Sequence, residues 1–174
     1  MKHVWILRHA KAASDGPDGD DHSRPLTGRG RRQSLQVAAF LADRVDSGAP
    51  TPDVVLSSSA ARALATAEAA HGALGAGVPF EIGRALYGAD ADDIVDRLRL
   101  VPDEIDAVMV VGHNPCFHDL ALLLVSPDDD AAGRDRLADG FPTAALAIVA
   151  LDVASWSEVV AGSGRLEEMF VPTR

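Results

Sequence analysis

Two histidines and two arginines stand where short apolar runs give way to polar residues. Arg8-His9 follows Val4 to Leu7, Arg62 comes soon after Val54 to Leu56, and His113-Asn114 follows Ala107 to Val111. Arginine presents a planar fork of donors that matches phosphate oxygens and stays charged. A neutral imidazole among such donors can attack phosphorus directly. Phosphoryl transfer asks mainly for positioning and charge stabilisation, so Arg8, Arg62 and His113 around a nucleophilic His9 can suffice without a metal. Helix starts expected after Ser59 and Asn114 add backbone N–H donors to an anion site. The substrate-binding set is therefore Arg8, Arg62, His113 and Asn114.

The elements that must position these groups can be read from periodicity. Val4 to Leu7, Asp53 to Leu56 and Ala107 to Val111 are apolar runs with a β-branched bias and predict buried strands. Phe80 to Ile82 is a shorter strand candidate. Thr27 can cap a helix from about Gly28 to Ala42, and Ser57-Ser58-Ser59 offers caps for an Ala-rich helix over 60–74. A helix is expected over 90–100. Asn114 and Pro115 form a cap and first-turn pair for another over 117–125. Residues 14–24 and 126–140 are rich in Asp and Gly and read as loops. Residues 144–151 and 166–171 predict two final strands without a helix between them. The expectation is a three-layer α/β/α sandwich, its central sheet mostly parallel with an antiparallel edge strand. In such sheets ligands bind at the carboxyl ends of the strands, where these four side chains would converge.

Bulk properties narrow the partners. The 174 residues fit one domain, 1–174, with 47% hydrophobic content, enough to bury a core. A net charge of −10 argues against nucleic acid or an anionic membrane as the main partner. A phosphate site must then be a local positive island. The one cysteine, Cys116, excludes an internal disulfide and suits a reducing compartment. No stretch reaches the ~18 apolar residues of a spanning helix, and the apolar run at the N-terminus is too short for a signal peptide. The expected location is the cytoplasm.

Simpler readings compete. His9 alone can be a structural histidine, and the company of Arg8 and His113 is what argues otherwise. Arg62 can be an ordinary surface residue, although cations are disfavoured in a first helical turn unless an anion compensates. His3, His22, His71 and His118 show no partner logic. The acidic run Asp15, Asp18, Asp20 and Asp21 reads as a solvated loop, since its spacing is not that of a calcium loop. Arg24 is expected to support the loop beside the pocket. Arg29, Arg31 and Arg32 form a basic cluster that reads as a solvated face, with an acidic partner as the alternative.

Taken together, LRHAKA at 7–12, RPLTGRGRRQ at 24–33, LSSSAARALATAE at 56–68, LYGAD at 86–90, VGHNP at 111–115 and FPTAALAIVALD at 141–152 resemble the histidine phosphatase superfamily. The likeness is closest to the SixA-type phosphohistidine phosphatases and runs nearly the whole chain in order. The family tripeptide Arg-His-Gly stands here as Arg8-His9-Ala10. The resemblance implies a phosphoglycerate mutase-like fold, His9 as the phosphorylated nucleophile, Arg8 and Arg62 as phosphoryl ligands, and His113 completing the pocket. It implies no metal and no organic cofactor.

One departure bears on substrate. Larger members carry a general-acid carboxylate near the middle of the chain, and no Glu follows Leu86 here. Glu81, Asp90 and Asp92 are the nearest candidates. An alkoxide leaving group needs a proton donor, whereas a phosphorylated imidazole leaves more easily. The expected substrate is a phosphohistidine protein or a small phosphorylated metabolite. A phospho-ligand binding module without turnover and a mutase-type phosphotransferase are the alternatives.

Overall fold

The computed structural model describes residues 1–129 and 131–173. Six strands form one sheet: β1 (Lys2–Arg8), β2 (Val54–Ser58), β3 (Phe80–Gly83), β4 (Ala107–Gly112), β5 (Leu146–Leu151) and β6 (Gly164–Phe170). Their spatial order is β3-β2-β4-β1-β5-β6. The β3-β2-β4-β1 half is parallel, while β5 runs antiparallel to β1 and β6 antiparallel to β5. The expected mixed sheet is present: β5 alone runs against the other strands, and the edge strand β6 pairs antiparallel with it.

Alternation along β1 divides the core. Val4 and Ile6 face one side, with Phe117, Leu120 and Leu124 of α4 (Cys116–Leu124) and Ile94 and Leu98 of α3 (Ala91–Arg99). Trp5 and Leu7 face the other, with Val37 and Leu41 of α1 (Gly28–Ser47) and Ala67 and Ala70 of α2 (Ala61–Leu74). This is the three-layer α/β/α arrangement that the alternating pattern predicts.

Caps set the helix starts. Thr27 Oγ1 accepts the Gly30 N–H at 3.0 Å, and α1 runs past the expected Ala42 to end at left-handed Gly48 (φ 69°). Asp90 and Asp93 form a reciprocal capping box on α3. Two other expected caps are absent. α2 begins after Ala60 with no side-chain cap bond, because Ser58 and Ser59 bond histidines instead. α4 begins after Pro115 without a side-chain cap, because the Asn114 amide turns to the Phe141 carbonyl at 2.9 Å.

The segment 126–140 is not all loop. It carries α5 (Ala131–Ala138), held by tertiary contacts that periodicity does not show. Leu137 is buried, its carbonyl accepts from His118 Nε2 at 2.7 Å, and Arg136 donates to the Met169 carbonyl at 2.8 Å. Among the described residues no helix is long and apolar enough to cross a membrane.

Gly112 closes β4 against the buried Phe117 ring, and a methyl on its Cα would lie 2.6 Å from Phe117 Cζ. Gly112→Ala is expected to cost about 1–3 kcal/mol through overpacking, read as a lower urea midpoint. An unchanged midpoint would show that the ring has room to move.

Candidate functional site

The parallel pairing of β1 with β4 sets Arg8 opposite Gly112. The next residues, His9 and His113, therefore leave the sheet side by side, with ring centroids 5.1 Å apart. The His9 backbone is held on both sides: its N–H donates to the Gly112 carbonyl at 2.9 Å, and its carbonyl accepts the Ala144 N–H at 3.1 Å. Ala144 is buried with φ 60°, a left-handed conformation that costs about 1–2 kcal/mol for a residue with a Cβ. The Ala10 N–H then donates to Thr66 Oγ1 at 3.0 Å, and Thr66 donates to the Arg62 carbonyl at 2.7 Å. That chain of bonds ties α2 to the loop after β1.

The imidazole of His9 has a defined tautomer. Its Nδ1 lies 2.8 Å from the Ala10 carbonyl oxygen, which can only accept. The proton therefore sits on Nδ1, and Nε2 keeps its lone pair. Burial, and then the charges of Arg62, Arg8 and Arg24, lower the His9 pKa from the ordinary 6.5 to about 4. His113 falls to about 3, through burial and then the neighbouring His9 and Arg62. Both rings are neutral at physiological pH. His113 is held by Ser58 Oγ, 2.8 Å from its Nε2.

The arginines are anchored at one end each. Arg8 donates from Nη1 to the Phe141 carbonyl at 2.7 Å, the oxygen that also accepts from Asn114. Arg62, only 6% exposed, donates to the Asp21 carbonyl at 2.6 Å and to its carboxylate at 2.9 Å. Their Nε atoms are buried and unpartnered, as are Nδ1 of His113 and Oδ1 of Asn114. Unpaired buried donors are costly unless a ligand satisfies them. All five site residues expected from sequence are thus brought together at the carboxyl ends of the parallel strands.

Three further residues join them. Asp21, read as part of a solvated loop, is the hub of the pocket rim. Its carboxylate accepts from Arg62, from Arg24 Nη1 at 2.6 Å and from the Tyr87 hydroxyl at 2.7 Å. Those bonds, with Tyr87 the largest, hold it well below the usual carboxylate range. His22, which showed no partner logic, bonds Ser59 Oγ through Nε2 at 2.9 Å and meets Tyr87 edge-on at 4.9 Å. Tyr87 also stands edge-on to His113, at 5.6 Å. The only sequence signal was Tyr87 itself, the sole tyrosine of the chain. Arg24 supports the loop as expected, donating to the Ala13 carbonyl at 2.6 Å.

Of the three general-acid candidates, two are engaged elsewhere and one is exposed. Glu81 pairs with Arg97 at 3.1 Å, Asp90 caps α3, and Asp92 sits in the exposed first turn of the same helix. Among the described residues no group of three or more His, Cys, Asp and Glu is placed to hold a metal ion.

Comparison with known proteins agrees with this geometry. The sequence model of the histidine phosphatase superfamily (branch 1) matches residues 4–113. An uncharacterized protein of Mycobacterium tuberculosis is 35% identical over 168 residues, covering 95% of this chain and 99% of its own. A solved candidate phosphohistidine phosphatase SixA from Agrobacterium tumefaciens superposes with a TM-score of 0.80 at 29% identity, covering 98% of each chain. The protein histidine phosphatase SixA complexed with tungstate superposes with a TM-score of 0.73 at 27% identity, covering 96% of this chain and 95% of that one.

The lowered histidine pKa values carry a stability consequence. Between about pH 4 and 6.5 the unfolded chain binds protons that the folded His9 and His113 refuse, so stability rises with pH across that window. Histidine-labelled NMR is expected to show both rings neutral down to about pH 4 to 5, with the urea midpoint falling as pH drops below 6.5. A His9 titration near 6.5 would contradict the burial account.

Proposed function

This chain belongs to the histidine phosphatase superfamily, and from its site we propose a phosphatase that works through a phosphohistidine on His9. The observation that carries the reading is the bare Nε2 of His9. The Ala10 carbonyl fixes the proton on Nδ1, and burial keeps the ring neutral, so a nucleophilic nitrogen stands beside two anchored guanidinium groups. Residues 1–174 are read as a single catalytic domain.

In this mechanism the Nε2 lone pair attacks phosphorus, a P–N bond forms, and the bond to the leaving group breaks. Arg8 and Arg62 offer their unpartnered Nε–H donors to the equatorial oxygens. His113 offers Nδ1–H when Ser58 donates to its Nε2. Asn114 shares the Phe141 carbonyl with Arg8 and holds the neighbouring backbone in place. Water then attacks the phosphorylated His9, inorganic phosphate leaves, and the imidazole is restored. Two fixed cations supply the charge stabilisation, which supports catalysis independent of a metal.

Asp21 does not serve as the general acid, because its carboxylate is ionised and committed to Arg62, Arg24 and Tyr87. The leaving group must therefore depart without a strong proton donor. This favours phosphohistidine on a protein, or another activated phosphate, over unactivated alkyl phosphates. A small phosphomonoester with a phenolic leaving group meets the same condition. A cytoplasmic location is part of the proposal, supported by the single cysteine of the chain.

Hydrolysis of para-nitrophenyl phosphate in excess chelator tests the reading. Turnover is expected to persist with chelator and to fall to background in His9→Ala. Arg62→Ala is expected to lose roughly a hundred-fold in kcat. Turnover retained in His9→Ala, or lost on chelation alone, would sink the proposal.

A further inference from the structure

The charge of this chain is unevenly placed. The net charge is −10, yet no acidic residue occurs between Asp21 and Asp43. That stretch holds Arg29, Arg31 and Arg32 in the first turns of α1, all exposed, with no acidic residue in the first turn. Cations at a helix N-terminus face the positive end of the macrodipole, which is unfavourable unless an anion sits there. None of the three, nor exposed Lys11, pairs with a carboxylate among the described residues. Arg31 Nη2 and Arg32 Nη1 both lie 3.8 Å from where a Gly28 methyl would be, so the two guanidinium groups gather over one spot.

This patch adjoins the pocket. Lys11 is two residues beyond His9, and its carbonyl accepts the Thr27 N–H at 2.9 Å and the Thr27 hydroxyl at 3.1 Å. Gln33 Oε1 accepts the Lys11 N–H at 2.9 Å and also bonds Thr143, next to the Ala144 that holds His9. Beside it a shallow cleft of about 200 Å³ opens between Arg29, Arg32, Gln33, Gln36 and Thr173. The start of α1 is thus built rigidly onto the loop that carries the nucleophile.

We propose that Lys11, Arg29, Arg31 and Arg32 form a docking surface for an acidic polypeptide segment whose phosphorylated side chain enters the pocket at His9. The inference rests on the phosphatase reading and names its substrate class: a phosphoprotein with carboxylates flanking the phosphorylated residue. The strongly negative remainder of the molecule repels extended polyanions, whereas a short acidic segment meets only the local positive field.

Two synthetic phosphohistidine peptides test this, one flanked by glutamates and one by serines. At low ionic strength kcat/KM is expected to favour the glutamate peptide by on the order of ten-fold. Added salt should shrink that preference. The double variant Arg29→Gln/Arg32→Gln, which keeps the Arg31 bond to the Leu26 carbonyl, should abolish the preference while para-nitrophenyl phosphate hydrolysis stays unchanged. Dissociation constants of the same peptides on His9→Ala report docking even where turnover fails, so docking and the phosphatase reading are tested separately. Equal values for the two peptides, or a preference that survives the double variant, would overturn the inference. So would retention on DNA or anionic vesicles without any peptide preference.

Discussion

The parallel pairing of β1 with β4 is the constraint on which the site depends. These strands are distant in sequence, and the crossover helices that parallel pairing requires lie between them. Once Arg8 stands opposite Gly112, the following histidines must emerge together at the carboxyl end of the sheet. The His9 N–H to Gly112 carbonyl bond continues the ladder by one step, so the proposed nucleophile is an extension of the sheet rather than part of a free loop. The β1–β5 pairing fixes the other side: the Arg8 N–H donates to the Ala145 carbonyl, and the Phe141 carbonyl anchors its guanidinium. A group held this way loses little further freedom on reaction, which is how positioning lowers a barrier.

Charge is managed by the same economy. Burying His9 near Arg8, Arg62 and Arg24 makes its protonated form unfavourable, so the positive field that suits a phosphate also keeps the proposed nucleophile neutral. Asp21 offsets that field at the rim. It takes the outer edge of Arg62 while leaving the buried Nε unpartnered. The carboxylate therefore steadies the guanidinium, and Tyr87, which donates to it, packs edge-on against His22. Farther out stand Arg29, Arg31 and Arg32 at the start of α1, which pair with no carboxylate among the described residues.

Much of this was legible in the sequence because it follows from local pattern. Apolar runs ending in Arg8-His9, Ser57-Ser58 and Gly112-His113 marked three strand ends, and topology brought them together. What escaped was tertiary. Asp21 and His22 sit in a segment whose Asp and Gly content matches any solvated loop; only the folded position of Arg62 and Ser59 gives them partners. α5 is short and polar and depends on contacts with His118 and Met169. Asn114 and the serines near 58 have ordinary capping chemistry, yet in the fold their side chains bond the Phe141 carbonyl and two histidines, partners that lie far away in sequence.

The central claim is that Nε2 of His9 is the atom that receives the phosphoryl group. Rapid-quench trapping with a phosphorylated donor, followed by phosphorus and nitrogen NMR of the labelled protein, reads the modified atom directly. The account predicts acid-labile phosphate on His9 alone, bonded to Nε2, with Nδ1 still protonated against the Ala10 carbonyl. Phosphate on Nδ1, on His113, or absent during sustained turnover would contradict it.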